Sequence, residues 1–184
     1  MSHTQSSSLV GATLAALALA SPTAQALPFL LQVSGTSQVV EVINPQGPVL
    51  RFATQTEGSG SFALSGYTSS DIVNMATGQG SGNNRFLAPN GDELLGAFTV
   101  QVIPTDTPGS VLLQGLTQFL GGTGIFSGAT GSAAFEGQAR FTSETQAVVQ
   151  FRHQGDLSLV PEPASAALVA LGLAAAGAAS SRRR

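Results

Sequence analysis

A glycine-rich segment in the second half of the chain is the most informative stretch for the fold. It reads Phe119-Leu120-Gly121-Gly122-Thr123-Gly124-Ile125-Phe126-Ser127-Gly128-Ala129-Thr130-Gly131. Glycine has no Cβ atom, so the backbone can turn sharply and approach its neighbours closely. Phe119 and Phe126 are expected to anchor the turn in a core. The segment therefore predicts a tight turn held by two buried aromatic rings.

The chain on both sides of this turn alternates between apolar and polar residues, as β-strands do. Residues 97–103 place Phe98, Val100 and Val102 on one face. Residues 132–142 place five alternate residues on one face, namely Ala133, Phe135, Gly137, Ala139 and Phe141. Shorter runs of this kind lie at 37–43, 49–54, 61–66, 148–151 and 155–159. Helical periodicity is hard to find between residues 27 and 160, which predicts an all-β body.

Turn signals separate these runs, at 44–48, 58–60, 78–84, 89–92 and 107–109. Strands separated in this way predict an antiparallel β-barrel, with a β-sandwich as the alternative. Asn90-Gly91 favours a hairpin turn. Residues 69–77 are ambiguous and also fit a short helix capped by Ser70 or Asp71. The low-complexity stretch 78–82 predicts a mobile loop.

The segment 119–131, with its approach 115–119, resembles the "GGTGxFxxAxG" segment of allene oxide cyclase and dirigent-like β-barrels. Six residues carry the resemblance: Gly121, Gly122, Gly124, Phe126, Gly128 and Gly131. The resemblance covers residues 92–160 and implies a barrel in which the segment joins neighbouring strands. Ile125 departs from the pattern, because members usually have a basic residue there. Such barrels include an isomerase, radical-guiding proteins and exported proteins of unknown activity, so the resemblance implies a fold more than an activity.

The same glycines do not form a phosphate-binding loop. The spacing Gly122-x-Gly124-x-x-x-Gly128 is not G-x-G-x-x-G, and no lysine follows it. The α/β alternation that accompanies such loops is also missing. Nucleotide binding is therefore not expected.

The body offers few groups for catalysis or metal binding. Its one histidine, His153, lies three residues from Asp156, a spacing that puts the two on opposite faces of a strand. We expect His153 to be a structural residue at a barrel rim. One histidine and no cysteine cannot form a usual zinc site, and residues 90–93 are expected to be a hairpin turn rather than a calcium loop. The sequence thus predicts no catalytic residue, no metal and no cofactor.

The chain is acidic and contains no lysine. It has 7 basic residues and 10 acidic ones, for a formal net charge of −3. Nucleic acids and anionic lipid surfaces are bound mainly through lysine and arginine, so neither is an expected partner. Because cysteine is absent, disulfides cannot hold the fold. Tryptophan is also absent and tyrosine occurs once, which counts against a face that stacks on sugar rings.

The N-terminal residues 1–26 have the layout of a secretory signal peptide. An apolar run over 9–20 predicts a short helix, and Pro22 breaks it. Ala24-Gln25-Ala26 then forms an A-x-A site for signal peptidase, with Ala24 and Ala26 as the recognised residues. Export is therefore predicted, with residues 27–160 as the mature body.

The C-terminal residues 161–184 combine three features. They are Pro161-Glu162-Pro163, an apolar run over 164–179, and the cluster Arg182, Arg183 and Arg184. The apolar run predicts a transmembrane helix of roughly 24 Å, because an α-helix rises about 1.5 Å per residue. The arginines place the C-terminus on the cytoplasmic side.

This tail resembles the PEP-CTERM sorting signal of Gram-negative bacteria. The resemblance implies that exosortase, a membrane-embedded transpeptidase, processes the chain near Pro161-Glu162-Pro163. It also implies a transient inner-membrane intermediate held through 164–179, release to the cell surface or extracellular matrix, and a link to exopolysaccharide and biofilm. We therefore expect a non-enzymatic exported protein. The alternative is a barrel that binds a small apolar ligand, or an isomerase resembling allene oxide cyclase.

Replacing Pro161, Glu162 and Pro163 together with alanine should leave unprocessed precursor in the membrane fraction, because the processing enzyme loses its recognition block. An immunoblot of membrane and released fractions measures this. Normal size and normal release of the variant would contradict the prediction.

Overall fold

A computed structural model of the protein describes residues 25–160 as an eight-stranded barrel. The strands are β1 (Ala26–Asn44), β2 (Val49–Gly60), β3 (Gly66–Asn74), β4 (Gln79–Leu87), β5 (Glu93–Pro104), β6 (Ser110–Gly122), β7 (Thr130–Phe141) and β8 (Gln146–Ser158). Two single-turn 3-10 helices lie at Ser61–Ala63 and Gly124–Phe126. Each strand pairs antiparallel with the next, and β8 pairs with β1 to close the barrel. The prediction of an all-β antiparallel barrel is confirmed, and the sandwich alternative is wrong.

The barrel has two distinct ends. The first, here called the terminal end, carries Ala26, Ser158 and the connections 61–65, 88–92 and 123–129. The second, the turn end, carries the short connections 45–48, 75–78, 105–109 and 142–145. Ala26 is the register partner of Ser158, so both ends of the described chain leave the barrel side by side.

Alternate residues of every strand face the interior, as the period of two requires. The predicted inward face of 97–103 is confirmed, because Phe98 and Val100 are buried. The predicted face of 132–142 is confirmed as well, with Ala133, Phe135 and Ala139 buried. An eight-stranded barrel is just wide enough for side chains to fill it, and the inward residues form three hydrophobic clusters in its interior.

An aromatic cluster closes the core at the terminal end. The ring of Phe29 lies 5.4 Å from that of Phe86 at an interplanar angle of 81° and 4.8 Å from that of Phe119. Phe126 is fully buried in the same cluster, beside Leu157. Edge-to-face packing of this kind adds stability beyond the area that the rings bury.

The ambiguity over residues 69–77 is resolved, because they form the end of strand β3 and the following turn and not a helix. Other local predictions are wrong: residues 78–82, predicted as a mobile loop, belong mostly to strand β4. The glycines of β4 suit a strand because the interior is crowded there: a Cβ on Gly80 would lie 2.8 Å from Val73 Cγ2 and 3.0 Å from Val100 Cγ1. Residues 61–63 form a 3-10 turn, in which Phe62 has a φ of 59°.

The contribution of the aromatic cluster to stability can be tested by substituting two neighbouring residues. Phe29→Ala should lower the free energy of unfolding by about 3–5 kcal/mol, because it opens a cavity in the aromatic cluster. Leu30→Ala is the matched control, since Leu30 points outward and is 39 % exposed; its cost should stay below about 1 kcal/mol.

Chemical denaturation of the processed protein measures both values. Equal losses for the two variants would mean that the cluster does not stabilise the barrel.

Candidate functional site

The glycine-rich segment connects β6 to β7 at the terminal end. Four of its glycines have positive φ angles, Gly121, Gly124, Gly128 and Gly131, and the Phe126 side chain between them is fully buried. A Cβ at Gly122 would collide with the carbonyl oxygen of Glu93. The expected tight turn anchored in the core is therefore observed, and its role in the described structure is to close one end of the barrel.

The neighbouring loop 88–92 is fastened to this segment by Asp92. The backbone N–H of Ile125 donates to Asp92 Oδ2 at 3.3 Å, and Asn90 Nδ2 donates to the same oxygen at 3.0 Å. Gly124 has a φ of 54°, and a Cβ there would collide with the Asp92 carboxylate. Asn90-Gly91-Asp92-Glu93 is thus a turn whose carboxylate braces the adjacent loop.

The sorting residues begin where the barrel stops. Strand β8 ends at Ser158, which pairs with both Ala26 of β1 and Thr130 of β7. Ala26, half of the predicted signal-peptidase site, is the first residue of β1.

The other predicted processing residues lie outside the described residues: Ala24, Pro161, Glu162, Pro163, Arg182, Arg183 and Arg184. The predicted signal helix and the predicted transmembrane helix over 164–179 lie outside them too. Between residues 25 and 160, no helix has the length and apolar character needed to cross a membrane.

His153 lies deep in the barrel, so its expected position at a rim is wrong. Strand β8 turns it inward, and the register places it opposite Leu31 of β1 and Phe135 of β7, well inside the ladder that β8 forms with each strand. The side chain is 1 % exposed, and the Tyr67 and Phe86 rings lie 5.1 and 5.3 Å away. Asp156 points to the outside, as the spacing predicts, so the two do not form a catalytic pair.

The imidazole of His153 has no hydrogen-bond partner among the described residues, at either ring nitrogen. Burial lowers its pKa from 6.5 to about 4, because the charged form loses its hydration. Nearby, Asn84 Nδ2 donates to Thr117 Oγ1 at 3.1 Å, whereas Asn84 Oδ1 also lacks a partner in the described structure. Neutral His153 is therefore an aromatic packing residue at ordinary pH.

A small cavity lies in the other half of the barrel, toward the turn end. Its volume is about 60 Å³, and the aromatic cluster separates it from the terminal end. The rings of Phe52, Phe98 and Phe135 lie in its wall. The lining residues nearest to an end of the barrel, Met75, Val102 and Val111, lie toward the turn end.

Asp71 is the one acidic residue in the wall of this cavity. It accepts a hydrogen bond from Ser69 Oγ at 3.2 Å. Burial raises the pKa of Asp71 from 3.8 to about 6, and the Ser69 hydrogen bond offsets only part of this. Burial likewise raises the pKa of Tyr67, which faces the same interior.

From the sequence alone, Asp71 is expected only as a possible helix cap, and its place in the wall of a cavity is missed. The signal that identifies its position is the alternation Tyr67-Ser69-Asp71-Val73. The outward Ile72 lies next to Val73 in the sequence and obscures that alternation.

The outer surface carries a row of polar side chains on four adjacent strands, here called the amide face. The register aligns Gln114 of β6, Glu136 of β7, Arg152 of β8 and Gln32 of β1, all exposed. A second row contains Gln138, Gln150 and Ser34. Surface depressions of about 420 and 890 Å³ follow these rows. The ion pairs within residues 25–160 are Arg51–Glu41 and Arg85–Glu93, so Arg152 forms none with its cross-strand neighbour Glu136.

Residues 25–160 contain no cluster of three histidine, cysteine or acidic side chains arranged to hold a metal ion. Two features of the described residues can contact a ligand: the hydrogen-bonding side chains of the amide face and the Asp71 carboxylate in the cavity wall.

The described residues form a closed antiparallel barrel, and the predicted processing segment follows it in the sequence. Residues 159–184 match the family model described as the PEP-CTERM protein-sorting motif. No curated protein and no solved structure matches the chain. The chain thus carries a PEP-CTERM sorting motif, which identifies an exported protein that exosortase processes at the membrane and that is sorted to the cell surface.

The two buried titrating groups should shift stability with pH in opposite directions. Between pH 6.5 and about 4 the unfolded chain protonates His153 and the folded barrel does not, so acidification destabilises by about 3 kcal/mol. Between about pH 6 and 3.8 the folded barrel protonates Asp71 and the unfolded chain does not, so acidification stabilises by about 3 kcal/mol. The two effects should nearly cancel in the native protein.

Two variants separate the effects. Relative to the native protein, Asp71→Asn should become less stable from pH 7 to pH 4, and His153→Gln should become more stable over the same range. Denaturation midpoints at several pH values test this, and the surface carboxylates cancel because all three proteins share them. Parallel pH profiles for the three proteins would refute the assignment.

Proposed function

We propose that the mature barrel is a non-enzymatic protein of the cell surface or extracellular matrix that associates with exopolysaccharide. The observation that supports this most is the amide face, combined with the sorting motif that sends the chain to the surface. Amide, carboxylate and guanidinium groups hydrogen-bond well to sugar hydroxyls. Rows of such groups across β6, β7, β8 and β1 present many of them to one polymer chain.

Binding to a single sugar unit should be weak. The aromatic side chains that stack on sugar rings elsewhere are turned inward here, including Tyr67, Phe86 and Phe119. Hydrogen bonds alone gain little net free energy in water. A polymer with many identical units compensates through effective concentration, so association with polysaccharide does not require a deep sugar pocket.

The position of the chain ends supports release of an intact barrel. A signal-peptidase cut after Ala26 removes one terminal residue of β1 and its pairing with Ser158. Cleavage near Pro161-Glu162-Pro163 falls beyond the end of β8 and leaves the strand ladder complete. We infer that the apolar segment 164–179 holds an inner-membrane intermediate in a Gram-negative cell, and that the barrel stays folded when it is released.

A second candidate function is binding of a small ligand in the interior cavity. The cavity supports it, because an apolar wall and a few polar groups meet at one place. The volume of about 60 Å³ is well below the roughly 300 Å³ of ordinary ligand sites, so a ligand would be small or would extend out of the turn end. The isomerase alternative has less support, since this volume is small for an ordinary substrate site.

Exopolysaccharide association can be tested by electrophoresis of the processed protein through gels cast with the polysaccharide of the producing cells. The double variant Gln114→Ala, Arg152→Ala should lose most of the retardation, because it removes two members of the first amide row.

The matched control is Gln55→Ala, Arg85→Ala, which changes the outward faces of β2 and β4. Retardation should survive in the control. Equal retardation of native protein and both variants, or none in any of them, would rule out the amide face as the binding surface.

A further inference from the structure

The cavity has one polar wall, built by β1, β2 and β3. Thr54 of β2 pairs in register with Ser69 of β3, and its Oγ1 donates to Ser37 Oγ of β1 at 2.9 Å. Asp71 lies two residues along β3 from Ser69 and completes the polar strip. Four polar side chains on three adjacent strands thus face the same space.

The opposite wall is apolar and comes from β6 and β7. It consists of Val111, Leu113, Ala139 and Phe141. Strand β8, which pairs with β1, adds Ala147 and Val149 beside the polar strip. A ligand in this space therefore meets hydrogen-bonding groups on one side and hydrocarbon on the other. Such an environment favours a molecule with one polar head and an apolar body.

No cation balances the Asp71 carboxylate within the described barrel. The arginines of this region, Arg51, Arg85, Arg140 and Arg152, are on outward-facing positions of their strands. The other titratable groups that face the interior near Asp71 are Tyr67 of β3 and His153 of β8, and both are neutral at ordinary pH. Asp71 is partly buried. A carboxylate that loses part of its hydration without gaining a cation is costly, and a cationic partner offsets that cost.

We propose that the cavity binds a small organic cation, an amine with a short apolar body, whose ammonium group contacts Asp71 and Ser69. This inference rests on the second candidate function and names the ligand class of that cavity. The rings of Phe52, Phe98 and Phe135 line the same space, and aromatic faces attract ammonium groups. A volume of about 60 Å³ accommodates the ammonium head and its first carbon atoms. The remaining carbons extend toward the turn end, past Met75 and Val102.

A metal ion fits this cavity less well than an amine. Asp71 provides a single carboxylate, and its polar neighbours are the hydroxyl groups of serine and threonine. Calcium takes six to eight oxygen ligands, usually with several carboxylates among them. The apolar opposite wall offers no ligand to a metal, whereas it suits the hydrocarbon part of an amine.

The test compares n-butylammonium, 1-butanol and butyrate as ligands of the processed protein, using ligand-detected NMR at pH 8. The three probes share a carbon chain and differ in the charge of the head group. Butylammonium should bind roughly tenfold more tightly than 1-butanol, because Asp71 is ionised at this pH. Butyrate should bind most weakly of the three, because its charge has the same sign as that of Asp71.

Asp71→Asn should abolish the preference for the amine while keeping the shape of the side chain. Asp156→Asn is the matched control, since Asp156 is exposed on the outer face of β8, and it should keep the preference. The native protein provides a readout that does not depend on any variant folding. Its affinity for butylammonium should fall at pH 5, where Asp71 takes up a proton.

The outcomes distinguish the proposed cationic ligand from small-ligand binding in general. Equal binding of 1-butanol and butylammonium, or a preference that survives Asp71→Asn, would overturn the cationic ligand and leave small-ligand binding standing. Absence of binding by all three probes would overturn both. An amine preference lost in Asp71→Asn and at pH 5 supports both.

Discussion

Closure of the sheet between β1 and β8 is the constraint on which the rest of the structure depends. The two strands pair in register from Ala26–Ser158 to Gln38–Gln146. This pairing leaves no open edge along that seam and gives every strand two neighbours. A closed sheet of eight strands has a narrow interior, so its strands must coil strongly and pack their backbones closely. Glycines inside the strands meet this demand: at Gly155, for example, a Cβ would collide with the carbonyl oxygen of Ser132.

The same closure organises the functional features. Because the number of strands is even and all connections run between neighbours, both ends of the described chain emerge together at the terminal end. The aromatic cluster and the glycine-rich segment seal that end. The cavity with Asp71 lies toward the turn end. The chain therefore leaves the barrel toward its sorting motif at the terminal end, whereas the cavity lies toward the turn end, and the strands between them expose the amide face.

The strand faces could largely be predicted, whereas the interior site could not. Phe98, Val100 and Phe135 were assigned to the inner face because alternation depends only on local backbone geometry. The sequence predicts a loop over 78–82 where strand β4 lies, because Gly80 and Gly82 carry no hydrophobic signal. What defines this strand is hydrogen bonding to β3 and β5. The depth of His153 depends on the register of β8 against two strands that are distant in sequence, β1 and β7, which no local pattern encodes.

The amino-acid sequence alone determined the class of fold, the sorting motif at 159–184 and the predicted export of the body. These properties reside in short contiguous patterns: alternation, a glycine-rich turn, and the block Pro161-Glu162-Pro163 with its arginines. Only the tertiary structure decided that His153 is buried among aromatic rings and that Asp71 faces an apolar cavity without a cation. Both environments are formed by strands far apart in the chain, and the pKa of a side chain depends on what surrounds it in space.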